Sequence, residues 1–198
     1  MSFNLRLDKV KEIISKEGLD GMYITSLTNV RYLTGFTGSA GSLLLLGNEN
    51  HFFTDGRYIE QSKDQVKNCT IHIVGSAHYL AIKDKNLLSK SMKIGLESDY
   101  VSMALYDAIS NVLQTTDFIK TSEIIEKIAA VKDTLEINSL KTAIEITDTV
   151  FTQIIPELKA GAVEKEISAK ISYLFKMNGA DGDSYESIIG SGWLGALP

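Results

Sequence analysis

The stretch Ser42-Leu43-Leu44-Leu45-Leu46 constrains the fold more than any other. It reads as a strand of unbroken apolar character. Gly47-Asn48-Glu49-Asn50 follows, a turn by composition, and His51–Thr54 reads as the return strand, so the two form an antiparallel hairpin. Helices and strands alternate around this hairpin. Leu7, Val10, Ile13 and Ile14 mark a helix over residues 5–17, with Gly18 placed as a C-cap glycine. A short strand over 21–25 and a helical turn over 27–33, ending at Gly35, lead into the hairpin. After it the pattern predicts a helix over 57–66 with Asp55 as its N-cap, and a strand over 70–74. A helix over 79–89, a strand over 93–97, a helix over 103–113 and a short strand at Phe118 and Ile119 follow. Such alternation with one hairpin implies an α/β fold, a mixed sheet with helices on both faces.

From Ile124 the texture changes. Asp133-Thr134-Leu135-Glu136 has capping-box spacing. Ile137, Leu140, Ile144, Phe151, Ile154, Ile155 and Leu158 then form one apolar stripe on a long helix, which Pro156 interrupts near its end. Lys159-Ala160-Gly161 turns the chain. Val163, Ile167, Ile171 and Leu174 build a second helix, closed by Asn178-Gly179. Ser184–Ile189, SYESII, reads as a strand, and Gly190–Pro198, GSGWLGALP, as a loop carrying Trp193, Leu194 and Leu197. The pattern places residues 1–126 in one domain and 127–198 in the start of another. Two helices and one strand cannot enclose that stripe, and an unpaired strand leaves its backbone groups bare. Residues from about 127 onward are therefore expected to be the first part of a truncated domain, and to be poorly protected against hydrogen exchange.

Composition narrows the function. A net charge of -5 over 198 residues argues against a nucleic-acid binder, which would carry a basic stripe. Cys69 is the only cysteine, which excludes an intramolecular disulfide and a cysteine metal cage and suits a reducing compartment. Leu43–Leu46 is the longest strongly apolar run, far short of the roughly 20 residues a membrane span needs. The N-terminus has no signal-peptide pattern. A cytoplasmic protein without membrane or nucleic-acid partners is expected.

Most motifs read blandly. Gly35, Gly38 and Gly41 precede a strand and no lysine follows them, so neither a P-loop nor a dinucleotide fingerprint fits, and a tight backbone connection does. Asp55-Gly56-Arg57-Tyr58 reads as a strand end, a cap and a helix start; functionally, Asp55 and Arg57 would hold each other or reach a neighbouring site. His51, His72 and His78 lack metal-ligand spacing, and His51 and His72, at alternating positions in strands, read as structural histidines. Asp181-Gly182-Asp183 reads as a solvated turn. Ser39, Ser187 and Ser191 have no visible base partner.

Taken in order, NVRYLTGFTGSAG, LLL and FFTDGRYIEQ resemble the N-terminal domain of the creatinase/prolidase superfamily. AAVKDTLEINSLKTAIEITD and LKAGAVEKEISAKISYLFKMNGADGDSYESIIGSG resemble the linker, first two helices and first strand of its pita-bread catalytic domain, an α+β fold. Within the superfamily the likeness is to Xaa-Pro aminopeptidases and Xaa-Pro dipeptidases. The resemblance implies hydrolysis of the peptide bond before proline by two divalent metals, commonly manganese, sharing a bridging hydroxide. It implies a homodimer, proline-containing peptides as substrates, and metal ligands (two aspartates, a histidine and two glutamates) all beyond Pro198. No residue here corresponds to a ligand or to the catalytic histidine, so this chain is expected to be inactive alone. Arg57 and Tyr58 are candidates for the substrate entrance or an interface, and Trp193 and Leu194 for the approach to the site. Two alternatives remain: a metal-independent creatinase-type amidinohydrolase, and a non-catalytic protein-binding relative.

Overall fold

The computed structural model describes residues 2–196. The chain divides into two compact units, Met1–Val131 and Lys132–Pro198.

The first unit runs α1 (Phe3–Lys16), β1 (Gly21–Ile24), α2 (Leu27–Thr34), β2 (Ser42–Leu46), β3 (Glu49–Thr54), a 3-10 turn (Gly56–Tyr58), α3 (Ile59–Gln65), β4 (Thr70–Ile73), α4 (His78–Asp84), β5 (Lys93–Glu97), α5 (Met103–Val112), β6 (Asp117–Thr121) and α6 (Ile124–Ala130). Its six strands form one sheet in the order β4-β3-β2-β1-β5-β6. β2 alone runs against the others, pairing antiparallel with β1 and β3, while β1–β5, β5–β6 and β3–β4 are parallel. The hairpin register pairs Leu46 with Glu49, which leaves a two-residue turn, Gly47-Asn48, with Gly47 at φ +47°. A positive φ there matches the twist of the flanking strands, and glycine adopts it without penalty.

Both sheet faces are covered, which is why β2 can be apolar at every position. Met22, Ile24, Leu43, Leu45 and Phe52 face one core with Leu7, Val10 and Ile14 of α1, Val30 and Leu33 of α2, and Ile124 and Ile125 of α6. Tyr23, Leu44, Leu46, Phe53, Ile94 and Leu96 face the other, with Ala81 and Ile82 of α4 and Ile109 of α5. The period-2 alternation of strand side chains divides each strand between the two cores.

Some local expectations shift. The segment after Asp55 is a 3-10 turn followed by α3, not one helix from residue 57. α4 stops at Asp84 because Asn86 turns left-handed at φ +50°, which lets Leu87 and Leu88 fold onto the second core. The short helix α6, unforeseen from periodicity, buries Ile124 and Ile125 in the first core.

One buried carboxylate ties the first unit together. Glu97 ends β5 at 4% exposure. It accepts from the backbone N–H of Thr25 (2.6 Å) and Ser26 (2.9 Å), where β1 passes into α2, and from Asn29 Nδ2 (2.8 Å). The same amide group donates to Glu126 of α6 at 2.7 Å. Burial pushes the Glu97 carboxyl up, against the lowering effect of these donors, and the nearby Glu126 charge adds to the rise.

The second unit contains α7 (Thr134–Ile154), a 3-10 turn (Ile155–Glu157), α8 (Glu164–Met177) and a 3-10 turn (Gly192–Ala196). The Asp133–Glu136 capping box forms in full. Val150, Ile154 and Ile167 are buried. The rest of the stripe is open, from Ile137 at 43% to Phe151 at 62% exposure. The strand expected over 184–189 does not form: the segment is irregular and Tyr185 and Ile188 are exposed. Its pattern suits a strand, but no described segment of this unit lies extended beside it, and a strand without a partner forfeits its hydrogen bonds. Leu197 and Pro198 lie outside the described residues.

Glu97→Ala leaves three donors, two of them buried, without this acceptor and is expected to destabilise the first unit by about 2–4 kcal/mol in denaturant unfolding. The folded carboxyl sits above its unfolded value. Its protonation therefore contributes stability in full below the unfolded value, and that contribution is lost as pH rises through the folded one. The difference in stability between the native chain and Glu97→Gln should follow this course across the acid range.

Candidate functional site

Five of the six strands run the same way, so their carboxyl ends share one edge of the sheet. In open α/β sheets this edge is where ligands bind. Here it gathers the segment after β3, the loop before β2 and the start of α4.

Asp55, just after β3, caps the following turn by accepting from Arg57 N at 2.9 Å. Its side chain also receives Arg57 Nε (3.0 Å) and a terminal guanidinium nitrogen (2.8 Å), a two-pronged contact. The Arg57 hydrogen bond draws the Asp55 carboxyl down to about 2, and Asp55 in turn raises Arg57. The guanidinium also lies 5.2 Å from the centre of the Tyr58 ring. Tyr58 reaches back to the loop: its hydroxyl accepts from Ser39 N at 3.1 Å and shares a 2.7 Å hydrogen bond with Ser39 Oγ. These Ser39 contacts lower the Tyr58 hydroxyl from its ordinary value.

The glycines of this loop work as backbone spacers. A Cβ on Gly38 would stand 2.3 Å from Phe36 Cζ and 2.8 Å from a Tyr58 ring carbon. Phe36 packs edge-on against both Phe52 and Tyr58. Thr37 is held to α3 by Gln65, which accepts from its N–H at 2.9 Å, and by Gln61, which donates to its hydroxyl at 2.9 Å. The loop therefore presents Ser39 in a fixed position.

Beside it lies a cavity of about 360 Å³, lined in part by Tyr23, Ser39, Ser42, His78, Tyr79 and Leu105. Ser42 Oγ is 2.8 Å from His78 Nδ1. Ser42 also bonds Tyr23, whose buried hydroxyl is pushed up to about 12. Burial lowers His78, and Asp55 partly offsets this. Tyr23, Ser42 and His78 thus form a polar chain that sequence spacing did not reveal, because β1, β2 and α4 supply one member each.

In the second unit, Trp193 is 76% exposed and Leu194 half-buried on the Gly192–Ala196 turn. That turn is anchored by Ser191, whose N–H and hydroxyl both donate to Glu164 Oε1, at 2.7 and 2.9 Å. Asp183 accepts from Ser172. The structure brings Arg57 and Tyr58 together in the first unit and Trp193 and Leu194 together in the second. Among the described residues, no three or more His, Cys, Asp or Glu side chains are grouped to hold a metal ion. No described helix is long and apolar enough to cross a membrane.

Fold and site together define an α/β domain with a rigid loop at its sheet edge, joined to the opening helices of a second unit. The chain belongs to the creatinase/prolidase family: the Creatinase/Prolidase N-terminal domain matches residues 6–131, and metallopeptidase family M24 matches residues 138–198. It is 34% identical over 98% of its length to the uncharacterized peptidase YqhT of Bacillus subtilis, spanning 55% of that protein. It is 27% identical over 98% of its length to a Xaa-Pro dipeptidase of Pyrococcus furiosus, spanning 54% of it. Among solved structures, a Xaa-Pro dipeptidase from Bacillus anthracis aligns with a TM-score of 0.86 at 27% identity, over 93% of this chain and 52% of that one. The chain spans about half the length of the curated relatives it matches.

Arg57→Ala should release the Asp55 carboxyl from about 2 toward the ordinary aspartate value. Carboxyl NMR titration checks this, and an unmoved Asp55 would refute the pairing. Tyr58→Phe should mobilise the loop over 37–41, seen as faster amide exchange at Ser39.

Proposed function

We propose that this chain is the N-terminal part of a metal-dependent Xaa-Pro peptidase, a cytoplasmic homodimer that hydrolyses the peptide bond before proline. The observation that carries the reading is the succession of the two family matches, residues 6–131 and then 138–198, in a chain spanning about half of its relatives. Two relatives carry names that specify Xaa-Pro dipeptidase activity.

The described residues do not fit a dinuclear metal centre. Of Asp181 and Asp183, which flank Gly182, Asp183 is already engaged by Ser172, and no described group of three or more ligating side chains surrounds them. In this reading the two divalent metals, manganese by family resemblance, are held by residues beyond the length given, and the present chain is inactive alone. No catalytic step is assigned to its side chains. Its contribution is selective: Arg57 and Tyr58, fixed by Asp55 and Ser39, form part of the rim that admits short peptides, and Trp193 and Leu194 line the approach.

The coding DNA past the Pro198 codon is the direct test. The reading expects an open frame with His-Gly and then spaced Asp, Asp, His, Glu and Glu; a stop codon contradicts it. In the longer chain, Arg57→Ala should raise KM for short Xaa-Pro peptides with kcat little changed. Unaltered kinetics and assembly would remove Arg57 from the rim.

A further inference from the structure

All three histidines of the chain lie in one side-chain ladder on one face of the sheet. His51 of β3 stacks on His72 of β4, His72 stacks on Phe53 at 4.8 Å, and Phe53 stacks on His78 at the start of α4. His51 Nδ1 lies 3.1 Å from His72 Nε2, and His51 Nε2 lies 3.0 Å from Glu49 Oε2. Since Glu49 takes the proton of Nε2, the bare Nδ1 of neutral His51 accepts from His72 Nε2–H. At the far end, His78 Nδ1 meets the Ser42 hydroxyl, which holds α4 to the beginning of β2.

We propose that this ladder is a proton-sensitive latch: acid breaks the His51–His72 hydrogen bond and places a charge on the half-buried His78 ring, loosening β4 and α4 on the sheet. The inference is independent of any peptidase activity. A nitrogen–nitrogen hydrogen bond needs one partner with a free lone pair. Protonating both rings leaves two donors and two positive charges facing each other.

The charged groups around the ladder do not cancel this. Glu49, the carboxylate that meets His51 Nε2, has a side chain 72% exposed and screened. Lys85, just past α4, and His51 both oppose a charge on His72; burial opposes it most. Asp55 favours a charge on His78, against the larger effect of burial. The Phe53 face attracts an imidazolium on either side but supplies no acceptor for its N–H groups. His72 and His78 both sit below the ordinary imidazole value. The stability they carry is complete above their unfolded values and is lost as pH falls through the lower folded ones.

β4 is the element to respond, being an edge strand with β3 as its single neighbour. The response would reach the candidate site, because Ser42 opens β2 directly after the loop that carries Ser39, and Thr54 Oγ1 holds that loop through Ala40 O at 2.6 Å.

The test is hydrogen exchange of the 198-residue chain at about pH 7.5 and about pH 5, corrected for intrinsic rates. Protection over residues 70–84 should fall by about tenfold relative to β1 and β5. His72→Gln with His78→Asn keeps donor groups and removes both titrations, and should hold that ratio within about twofold. Equal loss in both proteins, or no selective loss in the native chain, overturns the latch. Should the double variant not fold, a proton NMR titration of the native imidazoles decides: β4 and α4 amides must titrate with His72 or His78, and imidazole titration without them refutes the proposal.

Discussion

The first unit depends on a sheet whose central strands are dry on both sides. Leu43, Leu44, Leu45 and Leu46 are all buried, two toward each core. A fully buried Leu side chain contributes about 1.5–3 kcal/mol through burial, and each strand can collect that on both faces only if helices cover both. α1, α2 and α6 close one side; α4 and α5 close the other. Once the sheet is sealed, its edges and ends are the only places where backbone and polar groups meet solvent. The glycine-bearing loop, the Asp55–Arg57 pair and the His78–Ser42 bond all lie at the carboxyl end for that reason.

Sealing both faces also forces polar links to be satisfied internally. Glu97 answers the unpaired N–H groups where β1 turns into α2 and reaches α6 through Asn29. The cost of burying a carboxylate is partly offset by three donors, and the result joins β5, α2 and α6 at one point. Among the described residues, the second unit has no equivalent buried carboxylate. Its long helix packs on α8, with Val150, Ile154 and Ile167 buried, and leaves Leu135, Leu140, Ile144 and Phe151 wet, as is Leu158 just past it. An apolar face of that extent is a surface built to be covered.

How much of this was legible depends on how local each signal is. The hairpin, the Asp55 cap, the Asp133–Glu136 capping box and the stripe on α7 involve residues within a few positions of one another, and the structure contains them all. Leu87 and Leu88 continue the apolar pattern of α4, so the pattern predicts a longer helix, and only the left-handed turn at Asn86 redirects them. Ser184–Ile189 has a strand's composition, but a strand is a property of two segments, not one. Glu97 was visible only as a charge ending the apolar run Ile94–Leu96; its three donors lie about 70 positions away. The Tyr23–Ser42–His78 chain has no sequence signature, since residues on three elements meet only once the sheet exists. Arg57 and Tyr58 are candidates through the family resemblance alone, and the structure supplies the partners that hold them, Asp55 and Ser39.

The central claim is that the first unit closes a core of its own while the second leaves its principal helix face uncovered. Native-state hydrogen exchange across the whole chain tests it most directly. The account predicts that β1, β2, β3 and β5 exchange only through global opening of their unit, and that α7 and α8 exchange far faster through local opening. Uniform protection across both units would contradict it.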